Sequence, residues 1–271
     1  MPAGNIRESA QLYIERCRLD DGGYFFARIP PSSAVDTYYA VITLAMLGLK
    51  PERPAAVKRF FAAALKNSST LSINGLFAAT ESLRALGYTM QMPPRYIDRI
   101  NKLRNDMGGF GAVDNLDIEV VSELETTYRA LKIMTALGME FNQRNISDFV
   151  LKFGNDDGGF GKNNLSTLAS TYYATEILRL TGYDMSGLSA TVRYLRDRSS
   201  IWRLNFIEDI FWVSNSLSNL GQKIDKADWM ISFVEACQRG NGGFARKDVM
   251  GIPSLEYTYY AVSALKALSY P

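Results

Sequence analysis

Carboxylates at the heads of apolar segments are the residues best placed to do chemistry in this sequence. Glu125, Asp209 and Glu256 each stand shortly ahead of an aromatic residue and are read as sharing one register, with Asp36 one position off and Glu123 and Glu208 close by. Acids at helix starts complement the helix dipole, which is the plainer use. The sharper use is a rim that holds a divalent cation bridging a diphosphate, or that supplies a general acid or base. Oxygen ligands without histidine suit Mg2+. Histidine is absent from all 271 residues, so imidazole acid–base chemistry and histidine-ligated zinc are both excluded. Asp36, Glu125, Asp209 and Glu256 are therefore the catalytic candidates. Arg203, ahead of Glu208-Asp209, is a candidate phosphate receiver, as are Arg28, Lys162, Arg246 and Lys247. The plainer reading of these cations is solvated loop charge.

Aromatic residues follow the acids with a regular spacing. Four Gly-Gly-aromatic steps (Gly22-Gly23-Tyr24, Gly108-Gly109-Phe110, Gly158-Gly159-Phe160 and Gly242-Gly243-Phe244) each precede an apolar segment opening on Thr-Tyr. Those segments close at Gly48, Gly138, Gly182 and Ser269, and two further segments close at Gly87 and Gly221 without a Gly-Gly entry. Ten residues before each closing position stand Tyr38, Phe77, Tyr128, Tyr172, Phe211 and Tyr259. All six are aromatic, and Tyr39, Tyr173, Trp212 and Tyr260 each sit one residue later. The ring is readable as inter-helix packing or as a wall for an apolar polyene whose cations π faces stabilise. Its substrate-lining candidates are Tyr38, Tyr128, Tyr172, Phe211, Trp212, Tyr257 and Tyr259, with Arg203 for the phosphate end.

These residues need a scaffold that brings six copies together. The copies recur every 39 to 51 residues, the signature of a repeat architecture. Between the apolar segments lie amphipathic stretches with their own start signals, such as Pro93-Pro94 leading into residues 95–104. Six polar-faced helices thus alternate with six nearly all-apolar ones, the outer and inner members of six helical hairpins. The Gly pairs supply tight turns and the threonines are placed to cap the helices that follow. The expected fold is all-α, an (α/α)6 barrel or toroid spanning residues 1–271 as one domain; an open solenoid is the alternative.

Composition narrows the function classes. A formal charge of +2 gives no basic surplus of the kind nucleic acid attracts. Cys17 and Cys237 match no metal or redox spacing and read as small buried hydrophobes. No apolar run is long enough for a transmembrane segment and the N-terminus has no apolar signal core, so a cytoplasmic protein is the expectation.

Gly-Gly-Phe followed by Thr-Tyr-Tyr-Ala and a Leu-rich helix resembles the repeat of the prenyltransferase and squalene-cyclase superfamily across essentially the whole chain. The resemblance implies an α/α toroid whose central cavity holds an isoprenoid diphosphate or another apolar ligand. By the same resemblance a helical partner subunit is in view, as in the transferase branch. The cyclase branch carries Asp-x-Asp-Asp ahead of an inner helix; the matching stretch here is Ser33-Ala34-Val35-Asp36-Thr37, where only the last acid survives and Val35 is in the proton donor's place. The transferase branch holds zinc with Asp-x-Cys and a histidine; Glu208-Asp209-Ile210 and Tyr257 stand at those places, so zinc is not expected. The resemblance leaves three readings open: an isoprenoid enzyme with atypical catalytic residues, a toroid binding a lipid, peptide or protein without turnover, and a carbohydrate-active α/α barrel.

Overall fold

The computed structural model describes residues 6–67, 71–89, 92–111, 123–199, 204–224 and 227–269. Twelve α-helices make up the described residues: α1 (Ile6–Arg16), α2 (Ala34–Met46), α3 (Pro54–Asn67), α4 (Ile73–Ala85), α5 (Pro94–Lys102), α6 (Glu123–Ala136), α7 (Gln143–Leu151), α8 (Leu168–Leu180), α9 (Ser189–Arg198), α10 (Ile207–Asn219), α11 (Ala227–Ala236) and α12 (Leu255–Ala267). Odd-numbered helices are the expected amphipathic stretches, and even-numbered ones carry the aromatic register. Burial follows the hydropathy: every residue of α4 from Gly75 to Leu83 is buried, whereas α1 buries only Ala10, Tyr13 and Ile14.

The helices fall into two compact units. One comprises Met1–Met90, Asn205–Phe211 and Lys226–Pro271; the other comprises Gln91–Leu204 and Trp212–Asp225. In the first, α2 packs between α4 and α12, with α3 on α4 and α11 on α12. In the second, α6 and α7 both pack on α8.

A single hydrogen-bond device recurs at the four Gly-Gly-aromatic steps. The backbone N–H of Tyr24 donates to Thr37 Oγ1 at 2.9 Å, and Phe110 to Thr127, Phe160 to Thr171 and Phe244 to Thr258 repeat the bond at 2.9, 3.0 and 3.2 Å. Three of these threonines pass their own proton to the carbonyl four residues back, at Ser33, Thr167 and Ser254. The capping role expected of the threonines belongs instead to those earlier residues: Ser33, Thr167 and Ser254 accept from the third backbone N–H after them, as Ser72 does for α4. A buried Thr hydroxyl cannot cap its own helix when a turn above it needs an acceptor.

The first glycine of each step has positive φ and lies on the opening turn of another helix. A Cβ on Gly22, at φ 92°, would meet the Ala56 carbonyl oxygen of α3 at 2.5 Å. Gly242 is pressed in the same way onto Ser9 of α1, and Gly243 lies against the Tyr13 ring, so the last turn of the chain packs on its first helix. Closing positions share a backbone too: Gly48, Gly87, Gly138, Gly182 and Gly221 lie between φ 64° and 75°, and Ser269 adopts φ 57° in their place.

Charged residues on the even helices resolve as ion pairs. Glu81 is 4% exposed and takes two bonds from Arg84 at 3.0 Å, while Glu176 is held by Arg179 at 2.9 Å and by Asn219 at 2.7 Å. Carboxylates stay buried and the arginines reach outward. Cys17 and Cys237 are both buried and free, as expected.

Thr171→Val leaves the buried Phe160 N–H without an acceptor and is expected to cost about 1–3 kcal/mol in chemical denaturation. Gly182→Ala meets nothing within 4 Å and should cost about 1 kcal/mol from backbone strain alone. Gly158→Ala adds a clash with the Ala190 carbonyl and is expected to lose more than Gly182→Ala.

Candidate functional site

The aromatic register forms a continuous wall in the first unit. Ring centroids run from Phe77 to Tyr38 at 4.9 Å, from Tyr38 to Tyr259 at 5.9 Å and from Tyr259 to Phe211 at 5.6 Å, spanning α4, α2, α12 and α10. Tyr39 and Tyr260 thicken it, at 5.2 Å from Tyr259 and 4.7 Å from Phe211. Phe77, Tyr38 and Phe211 are buried, but Tyr39, Tyr259 and Tyr260 keep partial exposure. In the second unit Tyr128 meets Tyr172 at 6.4 Å and Tyr173 at 5.6 Å across α6 and α8. Trp212 on α10 is partly exposed. The expected ring therefore serves in packing, and part of its surface keeps solvent exposure.

The acids sit where these helices begin, and two of them tie neighbouring helices together. Glu256, in the first turn of α12, accepts the Tyr39 hydroxyl of α2 at 3.1 Å and the Tyr260 hydroxyl of its own helix at 3.0 Å. Glu125, in the first turn of α6, accepts the Tyr173 hydroxyl of α8 at 2.6 Å and Arg129 at 2.6 Å. One contact is thus built twice, an acid on one even helix bound by the second aromatic of the next. Burial first, and then the negative charge of Glu256, push the Asp36 carboxyl up to about 6.

Asp209 behaves differently. Its Oδ2 accepts the backbone N–H groups of Asn205 and Phe206 at 3.0 and 3.1 Å, capping the start of α10. Burial nevertheless raises its carboxyl, against those two bonds. The shared register expected for Asp209 is corrected by counting: Glu125 and Glu256 stand thirteen residues before their closing positions, and the residue thirteen before Gly221 is Glu208. Glu208, read from the sequence only as lying close by, is the acid that holds the register. It is 6% exposed, and its Oε1 takes both Nε and a terminal nitrogen of Arg246 at 2.6 Å. The guanidinium of Arg246 lies 4.0 Å from the centroid of the Phe206 ring. Tyr257 feels both acids, its hydroxyl pushed up first by burial and then by the charges of Glu208 and Glu256, with Arg246 opposing.

The structure thus gathers Asp36, Glu256, Tyr257, Tyr259, Tyr38 and Phe211 in the first unit and leaves Asp209 as a cap there. Glu125, Tyr128 and Tyr172 gather in the second. Arg203 lies outside the described residues. Among the cations, Lys162 binds Glu123 at 2.8 Å and Arg246 binds Glu208, while Lys247 lends its carbonyl to Arg239. An open groove of about 500 Å³ lies elsewhere, between the start of α9 and the end of α10, with Arg193 and Arg196 on its wall. Among the described residues no three or more His, Cys, Asp or Glu side chains cluster as a metal site.

Residues 4–81, 56–202 and 200–270 match the prenyltransferase alpha-alpha toroid domain. The chain belongs to that family. The toroid expected from the six-fold repeat is therefore the fold class of the protein. No curated protein matches it by sequence. Among solved structures it is similar to Candida albicans protein geranylgeranyltransferase-I complexed with GGPP, with a TM-score of 0.75 at 16% identity, over 96% of this chain and 90% of that one. It is also similar to the apo type II terpene cyclase MstE from Scytonema, with a TM-score of 0.66 at 13% identity, over 98% of this chain and 97% of that one. At such identities the toroid fold is what the likeness shows. Among the described residues no helix is long and apolar enough to cross a membrane.

Asp36 carries a pH signature that tests its surroundings. Its folded carboxyl titrates near 6 against an ordinary value of 3.8, so the folded state binds the proton more tightly and stability falls as pH rises between those values. Asp36→Asn removes that loss. Its melting temperature should exceed that of the unaltered protein at pH 8, with the gap closing toward pH 4.

Proposed function

We propose that the protein binds an isoprenoid diphosphate, with the polyene against the aromatic wall and the diphosphate at the rim of acids and tyrosines above it. The wall from Phe77 through Tyr38 and Tyr259 to Phe211 supports this reading most, because Tyr259 and the flanking Tyr39 and Tyr260 keep partial exposure, and the last two bind Glu256. An apolar chain gains from the rings and an allylic cation would gain from their faces. The GGPP carried by the fungal neighbour of the same fold is in keeping with such a ligand.

Mg2+ fits the rim as a companion of the diphosphate. Mg2+ sites commonly take one or two protein carboxylates and complete their shell with substrate phosphate and water. Asp36, whose carboxyl feels the charge of Glu256, would hold the ion together with it. When bound it would neutralise the diphosphate. Tyr39 and Tyr260 keep Glu256 oriented, and the half-exposed Arg246 guanidinium offers a second positive charge at the head of α10.

A second reading, a toroid that binds a lipid, peptide or protein without turnover, is favoured by Val35 and Tyr257 at the places where the family's two reactions keep their acid and their metal ligand.

Native mass spectrometry with geranylgeranyl and farnesyl diphosphate, with and without Mg2+, tests the proposal. A retained adduct that strengthens with Mg2+ is expected, weakened about tenfold by Tyr259→Ala through loss of one stacking face. Absence of any adduct with either diphosphate sinks it.

A further inference from the structure

Charge on α9 is arranged unlike that on the even helices. Glu81–Arg84, Glu125–Arg129 and Glu176–Arg179 each set an arginine three or four residues after a glutamate, and each closes as an ion pair. On α9 the residue three before Arg196 is Arg193, and those three and four before Arg193 are Ala190 and Ser189. Residues three apart share a helix face, so the two guanidinium groups stand as neighbours and repel. Both side chains are exposed, and both line the open groove of about 500 Å³. Arg196 makes a long bond of 3.4 Å to Gln222 Oε1, and Arg193 has no hydrogen-bond or ion-pair partner among the described residues.

The opposite wall comes from the end of α10. Gly221, at φ 64°, lets the chain turn back, with the Gln222 N–H donating to the Leu217 carbonyl at 2.9 Å. That turn brings Gln222 to Arg196, and a Cβ on Gly221 would meet nothing within 4 Å. Leu188, Val192 and Leu220 supply apolar surface to the same lining. Asn219 has its amide nitrogen on Glu176 at 2.7 Å, which leaves its oxygen as an acceptor. Asp184 is spent on the Ser186 N–H at 3.0 Å, and neither it nor Asp197 lines the groove. The lining belongs to the second unit and to the tail of α10, whereas Glu208 and Asp209 stand at that helix's head.

We propose that this groove is a second binding site, for a small phosphate monoester whose body is part apolar and part hydroxylated. A monoester phosphate carries close to two negative charges at neutral pH, and two adjoining guanidinium groups match that charge and its oxygen geometry. Binding it turns the repulsion between Arg193 and Arg196 into shared attraction. The apolar part of the body lies on Leu188, Val192 and Leu220, while the oxygen of Asn219 and the amide of Gln222 bond its hydroxyls. The volume suits a ligand of this size, since small-molecule sites span roughly 300–1,000 Å³. This site stands apart from the isoprenoid diphosphate reading and does not depend on it.

Isothermal titration calorimetry of the full chain with AMP, glucose 6-phosphate, adenosine and inorganic phosphate tests the assignment. At least one ester is expected to bind one-to-one with a dissociation constant of about 0.1 mM or tighter, and adenosine not at all. Arg193→Gln and Arg196→Gln should each weaken the ester about tenfold without moving the melting temperature, because both side chains are exposed. Ser189→Trp, which fills the groove from the first residue of α9, should abolish binding. Saturating geranylgeranyl diphosphate is expected to leave the ester in place. Failure of both esters to bind, equal affinity in the arginine variants, or inorganic phosphate bound as tightly as the esters overturns the proposal. Displacement by geranylgeranyl diphosphate overturns it too, by placing the phosphate in the site already described. Adsorption to phosphatidylcholine vesicles carrying phosphatidic acid, with no ester bound, would give the arginines to a membrane surface and likewise sink it.

Discussion

The bond from a Gly-Gly-aromatic N–H to a threonine hydroxyl in the next even helix holds each turn of this protein to its hairpin. Tyr24, Phe110, Phe160 and Phe244 bury their rings at the point where the chain reverses, and burying the ring also buries the amide. A buried amide needs an acceptor, and no backbone carbonyl of the following helix is free one turn from its start. Threonine answers this because its methyl packs while its hydroxyl accepts from the turn and donates to the carbonyl one turn back. The glycines then follow as a steric requirement: with the amide fixed, the chain must cross a neighbouring helix where a Cβ at Gly22 would overlap Ala56.

The rim inherits its geometry from the same register. Because the threonine sets where each even helix starts, the acids two residues before it are carried to equivalent heights: Glu125 before Thr127, and Glu256 before Thr258. Both then meet a tyrosine hydroxyl from an adjoining even helix. Acids at this height have two uses at once. They brace pairs of helices, which explains their presence without any ligand, and they concentrate negative charge beside phenols in a half-buried place, which raises Asp36. The two uses are coupled, since a tyrosine that orients a carboxylate also fixes where that carboxylate can meet a ligand.

Much of this was legible in the sequence because repeats report structure through spacing. The aromatic position ten residues before each closing glycine gave the inner helices, and the alternation of charged-face with apolar stretches gave the outer ones. Three things were not legible, each for a physical reason. Thr37 and its equivalents looked like caps because cap chemistry and turn-acceptor chemistry use the same hydroxyl; only the buried amide of Tyr24 decides between them. Asp209 drew attention over Glu208 although an exact count favours Glu208, because an Asp near a helix start looks functional whether or not its oxygens are spent on backbone amides, as these are. The Tyr39–Glu256 bond joins residues 217 apart, so no local pattern signals it. A full count from Gly221 would have put Glu208 in the register, but not shown its bond to Arg246, which joins residues 38 apart.

The seating of Gly242 and Gly243 on α1 has a consequence for how the protein is made. Ala10, Tyr13 and Ile14 are translated early in this stretch, and the turn that covers Tyr13 follows about 230 residues later. Until then the leading helix offers bare apolar surface to any chaperone or neighbouring nascent chain. Hairpins in between can form from local contacts, but the joining of this turn to α1 is a long-range event, and long-range contacts are the slow and aggregation-exposed part of folding.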